Sequence, residues 1–186
     1  MSHQGCVVWL TGLPGSGKTT IARALETELR TEGVPVEVLD GDEIRAALSP
    51  ELGFSPADRE LHNRRVIFLA KLLSRNGVVA VVSLISPYRA VRDAAREELG
   101  RFVEVWVKCS IEECIRRDPK GHYRRALSGQ NAQMTGVQAP YEPPERAELV
   151  ADTEQWSVER CVAEIRSVVA ACGYLPPQGL APRGLA

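Results

Sequence analysis

Apolar positions along the chain follow two alternating rhythms. Short, nearly unbroken runs at 6–10, 36–39, 78–85, 102–107 and 148–152 read as strands. The densest, 78–85, is apolar at almost every position and is expected to be the central strand, covered on both faces. Between the runs lie segments with helical spacing: 20–29, 43–48, about 57–76, a stretch ending near 99, and 158–171. Within the long helix, 66–73 is expected to face the core. Gly33-Val34-Pro35 ends the first helix and Gly77 closes the long one. Strand–helix alternation of this kind predicts a parallel sheet with right-handed crossovers. The expected class is therefore α/β, three layers deep, with a mainly parallel five-stranded sheet and helices on both faces.

Between the first strand and the first helix stands Gly12-Leu13-Pro14-Gly15-Ser16-Gly17-Lys18-Thr19. Glycines at these positions let the backbone curl so that its N–H groups face phosphate oxygens, and the helix N-terminus behind adds partial positive charge. In such a P-loop, Lys18 reaches the β- and γ-phosphates and the Thr19 hydroxyl ligates magnesium. The second strand empties into Asp40-Gly41-Asp42, at the sheet edge where open α/β folds bind ligands. Asp42 is placed to hold magnesium or to orient an attacking hydroxyl, with Asp40 in support. The same tripeptide also serves as a turn and helix cap. Phe54, between two prolines, precedes the basic start of the long helix, a setting for a stacked base beside an anion.

Composition changes after residue 111. Arg116, Arg117, Lys120, Arg124 and Arg125 crowd one block, and a polar run follows at 128–136. A mobile basic lid over about 116–140 suits phosphoryl transfer, because it excludes water and brings positive charge to the transferring group. The expected organisation is one kinase domain at 1–174 and a disordered tail at 175–186. The net charge of −1 gives no field for non-specific nucleic-acid binding. No apolar run approaches the roughly 18 residues of a membrane span, and the N-terminus lacks a signal peptide's basic and apolar regions. A cytoplasmic location is expected, with no nucleic-acid or membrane partner. Five cysteines without a Cys-x-x-Cys pair read as reduced structural thiols.

Several blocks, in order, resemble the adenylylsulfate kinases, which phosphorylate the 3′-hydroxyl of adenosine 5′-phosphosulfate (APS) with MgATP. They are Thr11 through Thr20, Leu39-Asp40-Gly41-Asp42 with Arg45, Leu52-Gly53-Phe54-Ser55, Asp58-Arg59, Arg64-Arg65, Ser83 through Tyr88, Arg117 through Gly121, and Thr135-Gly136 with Pro140-Tyr141-Glu142. The resemblance implies ATP contacts along Gly12, Leu13, Pro14, Gly15, Ser16, Gly17, Lys18, Thr19 and Thr20, with Arg117. It implies acceptor contacts at Asp42, Arg45, Phe54, Arg59, His62, Ile85, Ser86, Lys120, Gln133 and Met134, with Phe54 on the adenine and both arginines, Arg45 and Arg59, on the phosphosulfate. Lys18, Asp40, Asp42, Ser86 and Lys120 become the catalytic candidates, with magnesium at Thr19 and Asp42. Ser86 holds the family's phosphoserine position, although direct transfer needs no such step. A homodimer and a sulfurylase partner are further expectations.

Some positions depart from the family pattern: Glu43 and His62 replace Asn, Ala132 replaces Lys, and Met134 replaces an aromatic. These changes lie on the acceptor side, so a second reading keeps the kinase and changes the acceptor to a cytidine diphosphate derivative. A regulatory P-loop NTPase is a third reading. It lacks support from any Asn-Lys-x-Asp base-recognition motif, and it leaves the basic lid without a purpose.

Overall fold

The computed structural model describes residues 5–129 and 133–175. Five strands, β1 (Val7–Thr11), β2 (Val36–Asp40), β3 (Val79–Ser83), β4 (Phe102–Lys108) and β5 (Leu149–Asp152), pair parallel throughout in the order β2-β3-β1-β4-β5. Helices α1 (Lys18–Thr31), α2 (Gly41–Leu48), α3 (Pro56–Arg75), α4 (Arg89–Leu99), α5 (Ile111–Arg117), α6 (His122–Leu127) and α7 (Val158–Ala171) complete the described residues. The expected three-layer α/β architecture is present.

Two expectations need correction. The central strand is β1, not the run at 78–85, which lies one place off centre as β3. Apolar density reports that both faces are covered, and β1 and β3 are equally buried at every position, so density cannot rank them. Nor does the whole of 66–73 face the core: Val66, Ile67 and Ala70 are buried, whereas Phe68 is 62% and Leu72 37% exposed. A turn of 3.6 residues lets only one stripe of α3 meet the sheet.

Period-2 alternation in β1 sorts the core into two layers. Val8 and Leu10 join Ile21, Leu25 and Ile165 beneath α1 and α7, while Val7 and Trp9 join Val66, Ile67 and Ala95 beneath α3 and α4. Leu175, just past α7, is buried in the first layer; the rest of the expected tail, 176–186, lies outside the described residues. A third, smaller cluster of Cys109, Cys114, Tyr123, Ala126 and Met134 sits beneath the expected lid. Register places the site: Leu10 and Asp40 both pair with Ser83, so the P-loop, Asp40 and the loop after β3 leave the sheet at one carboxyl edge.

Candidate active site

Close packing explains the first loop glycine. A Cβ on Gly12 would lie 2.4 Å from the Val107 carbonyl oxygen, so no side chain fits. Gly17, at φ +102°, turns the chain into α1 and offers that helix no side-chain cap, leaving its first N–H groups for an anion. Inside the loop the Ser16 hydroxyl is buried without a hydrogen-bond partner. Lys18 is also buried, and its Nζ donates to the carbonyls of Gly12 at 2.9 Å and Leu13 at 2.7 Å. Burial pulls its pKa down to about 8 against the upward pull of nearby groups, Cys114, Asp40 and Asp42 among them.

Thr19 Oγ1 donates to Asp40 Oδ2 at 2.8 Å and lies 3.4 Å from Ser83 Oγ. The other Asp40 oxygen caps α2, accepting from Asp42 N at 3.0 Å. Thr19, Asp40 and Asp42 thus put a hydroxyl and two carboxylates at one edge. These are hard oxygen donors, of the kind magnesium takes when phosphates and water complete its shell. Among the described residues no group of three or more acidic, His or Cys side chains could hold a metal unaided.

Asp42 faces the lid. Its Oδ2 accepts from Lys120 Nζ at 2.5 Å, which holds the carboxyl below the usual range and raises the lysine in turn. Arg45 stacks over the half-exposed Phe54 ring at 4.8 Å and donates to Gly53 O. Arg59, expected on a phosphosulfate, is turned to the protein instead: it donates to Phe54 O at 2.8 Å, Thr135 Oγ1 at 2.9 Å and Gln133 O at 2.6 Å. His62 is buried with Nδ1 3.0 Å from Ser49 Oγ, and burial, reinforced by Arg45 and Arg65, pushes its pKa to about 4. It is therefore neutral near pH 7.

Ser86 closes the acceptor side in a left-handed conformation, φ +42°, which costs a non-glycine residue about 1–2 kcal/mol. Three contacts hold it there. Its hydroxyl accepts from Trp9 Nε1 at 3.2 Å and donates to Asn63 Oδ1 at 2.8 Å, and its carbonyl accepts from Arg92 at 2.5 Å.

One cleft of about 890 Å³, toward the upper end of the roughly 300–1,000 Å³ usual for small-molecule sites, gathers these groups. Every expected catalytic and acceptor-side residue lines it, as do Pro14, Gly15, Gly17, Thr20 and Arg117. Gly12, Leu13 and Ser16 do not: Gly12 packs against Val107, Leu13 packs with the lid cluster, and Ser16 is enclosed by the loop. Ala132 lies outside the described residues.

Sequence reasoning missed several lining residues, four of which shape the cleft visibly. Asn63 receives the Ser86 hydroxyl, and Tyr123 donates to Pro14 O at 2.9 Å, tying α6 to the P-loop. Thr153 and Trp156 follow β5. Their place just past a strand end was a usable signal, since that edge binds ligands. Tyr123 gave none, standing among arginines.

A parallel sheet with a phosphate loop after its central strand, and acidic and basic groups converging over that loop, defines a P-loop phosphotransferase. The chain belongs to the adenylylsulphate kinase family, whose model matches residues 4–152. It is 47% identical over 175 residues to the adenylyl-sulfate kinase of Synechococcus sp. (strain JA-3-3Ab), covering 94% of this chain and 99% of the relative. It is also 47% identical to a protein of Sorangium cellulosum named probable bifunctional SAT/APS kinase 2, covering 95% of this chain and 30% of that longer one. The solved structure of the Mycobacterium tuberculosis APS kinase CysC in complex with AMPPNP and APS superposes with TM-score 0.87 at 36% identity, over 90% of this chain and 98% of that one. This chain is accordingly a transferase of the kinase type.

Proposed function

We propose that the chain transfers the γ-phosphoryl group of MgATP directly to the 3′-hydroxyl of APS, giving 3′-phosphoadenosine 5′-phosphosulfate without a phosphoserine intermediate. The carrying observation is the Ser86 hydroxyl, which is 2% exposed and already both donates and accepts. A nucleophile needs an open approach and a base to take its proton, whereas this hydroxyl is buried and gives its proton to the amide oxygen of Asn63, which is not a base. Magnesium, with Thr19 and Asp42 as its protein donors, neutralises charge on the phosphates when bound. Lys18 leaves its two loop carbonyls for the β- and γ-phosphates, Asp42 accepts a hydrogen bond from the attacking 3′-hydroxyl, and Lys120 and Arg117 bring positive charge from the lid. Phe54 offers the adenine of APS an apolar face, with Arg45 beside it for the phosphosulfate.

ATP turnover with a panel of nucleotide acceptors tests this reading. Turnover with APS, substantial activity retained in Ser86→Ala and no trapped phosphoenzyme from labelled ATP are expected. Turnover with a cytidine diphosphate derivative but not APS would move the acceptor and leave the kinase; a kinetically competent phosphoserine would refute direct transfer. We further infer that residues 1–174 form the catalytic domain with a lid at about 116–140, and that the enzyme is a cytoplasmic homodimer. Five free thiols suit a reducing compartment, and the exposed Leu61, Phe68 and Leu72 on α3 suit self-association, which sedimentation velocity would test. A sulfurylase partner is supported by the bifunctional relative, and co-purification checks it.

A further inference from the structure

Two walls bound the acceptor end of the cleft, and α3 joins them. Phe54 and Arg59 lie on one, and Ile85, Ser86 and Pro87 on the other. Backbone carbonyls of the second wall are held from outside: Ile85 O accepts from Thr11 Oγ1 at 2.7 Å, Ser86 O from Arg92 and Pro87 O from Glu142 N at 2.9 Å. These bonds fix where the loop lies. The left-handed turn at Ser86 needs a further hold, because a residue with a Cβ avoids that region.

That hold comes from the Ser86 hydroxyl. Trp9 Nε1 can only donate, so its bond at 3.2 Å takes a lone pair of Oγ and leaves the hydroxyl proton for Asn63 Oδ1 at 2.8 Å. The Asn63 amide is fixed in turn, since its nitrogen donates at 2.7 Å to Arg59 O, one turn earlier on α3. Arg59 itself reaches Phe54 O at 2.8 Å. An unbroken path therefore runs from Trp9 on the central strand through Ser86, Asn63 and Arg59 to Phe54, with every donor matched to an acceptor. Trp9, Ser86 and Asn63 are all buried, which shields these bonds from water.

We propose that Asn63 is a positioning residue for the acceptor: acting with Trp9 through the Ser86 hydroxyl, it fixes the separation of the two walls and so the fit of the acceptor between them. The inference rests on the acceptor reading of this end of the cleft. It assigns Asn63 no step of phosphoryl transfer, so the effect belongs to acceptor binding and not to the chemical step.

Steady-state kinetics with MgATP and APS on the full chain, with MgADP titrations beside them, test it. Asn63→Leu, which has the same branching, should raise KM for APS about fivefold, the scale of one lost hydrogen bond, with kcat within about twofold and MgADP affinity unchanged. In Ser86→Ala the hydroxyl is gone, so adding Asn63→Leu should raise KM no further. Trp9→Phe keeps a ring in the core and removes the other bond, and it carries the same comparison with the same outcomes if Asn63→Leu does not fold. A native KM in the folded variant, a rise that multiplies with that of Ser86→Ala, or an equal loss of MgADP affinity would overturn the proposal alone. A wild type that does not turn over APS would overturn the acceptor reading and the proposal with it.

Discussion

Asp40 and Asp42 divide between them the two roles that Asp-Gly-Asp suggests. Asp40 does the local work, capping α2 and receiving the Thr19 hydroxyl, while Asp42 projects a carboxylate toward Lys120 across the cleft. The fold therefore survives loss of the Asp42 charge, and the chemistry does not. Asp42→Asn should lower turnover by at least about a hundredfold, the scale of a positioned acid–base group, with MgADP binding still measurable and the melting temperature nearly unchanged. Turnover close to native in a folded Asp42→Asn variant would reduce the residue to part of a turn. At this scale the sequence was most legible where residue type and spacing coincide with a backbone need, as at Gly12, Lys18 and Thr19. It was least legible at Arg59, where a guanidinium can meet a ligand or the protein's own carbonyls, and only the packed chain decides.

Among elements, the lid and α3 are coupled through that same arginine. Its donors reach Phe54 O on one side and Gln133 O and Thr135 Oγ1 on the other, so one side chain orients the exposed ring and holds the lid segment. Arg59→Ala should therefore lower kcat/KM for the acceptor by about 2 kcal/mol or more, roughly thirtyfold, by loosening both partners, with MgADP affinity retained. Equal losses for nucleotide and acceptor would instead point to a general collapse of the cleft. Met134, expected to cover the second face of a purine, is 5% exposed and packs with Cys109, Cys114 and Tyr123, so part of its surface belongs to the lid's own small core. The helices α1, α3 and α7 were readable because fourteen or twenty residues display a period. The helices α5 and α6, seven and six residues long among arginines, are too short to show one, and the block looked merely basic.

Across the whole molecule, strand content was legible and strand order was not, because a right-handed crossover can add the next strand to either edge and the apolar runs do not say which. Distant segments are joined by groups that no local pattern reveals, and Arg92 is the clearest. It is 2% exposed on α4 and donates to Glu104 Oε1 on β4 at 2.7 Å, to Ser86 O after β3 at 2.5 Å and to Glu142 O beyond the lid at 2.6 Å. In the sequence it is one arginine in an amphipathic helix. Arg92→Met keeps much of the volume but leaves buried Glu104, among the described residues, with Arg96 as its one remaining cationic partner, at 3.2 Å. Breaking a buried pair usually costs about 3–5 kcal/mol, and the remaining arginine puts the expected loss near the lower figure. For a chain of this length that is a fall in melting temperature of roughly 6–12 °C. Because Arg92 also holds the Ser86 carbonyl, the variant should raise the acceptor KM more than it weakens MgADP. Adding Glu104→Met removes the stranded charge and should restore part of the stability but none of the acceptor affinity. A single variant as stable as the native protein would show that the network contributes nothing to the fold, and restored acceptor affinity in the double variant would remove Arg92 from positioning the Ser86 loop.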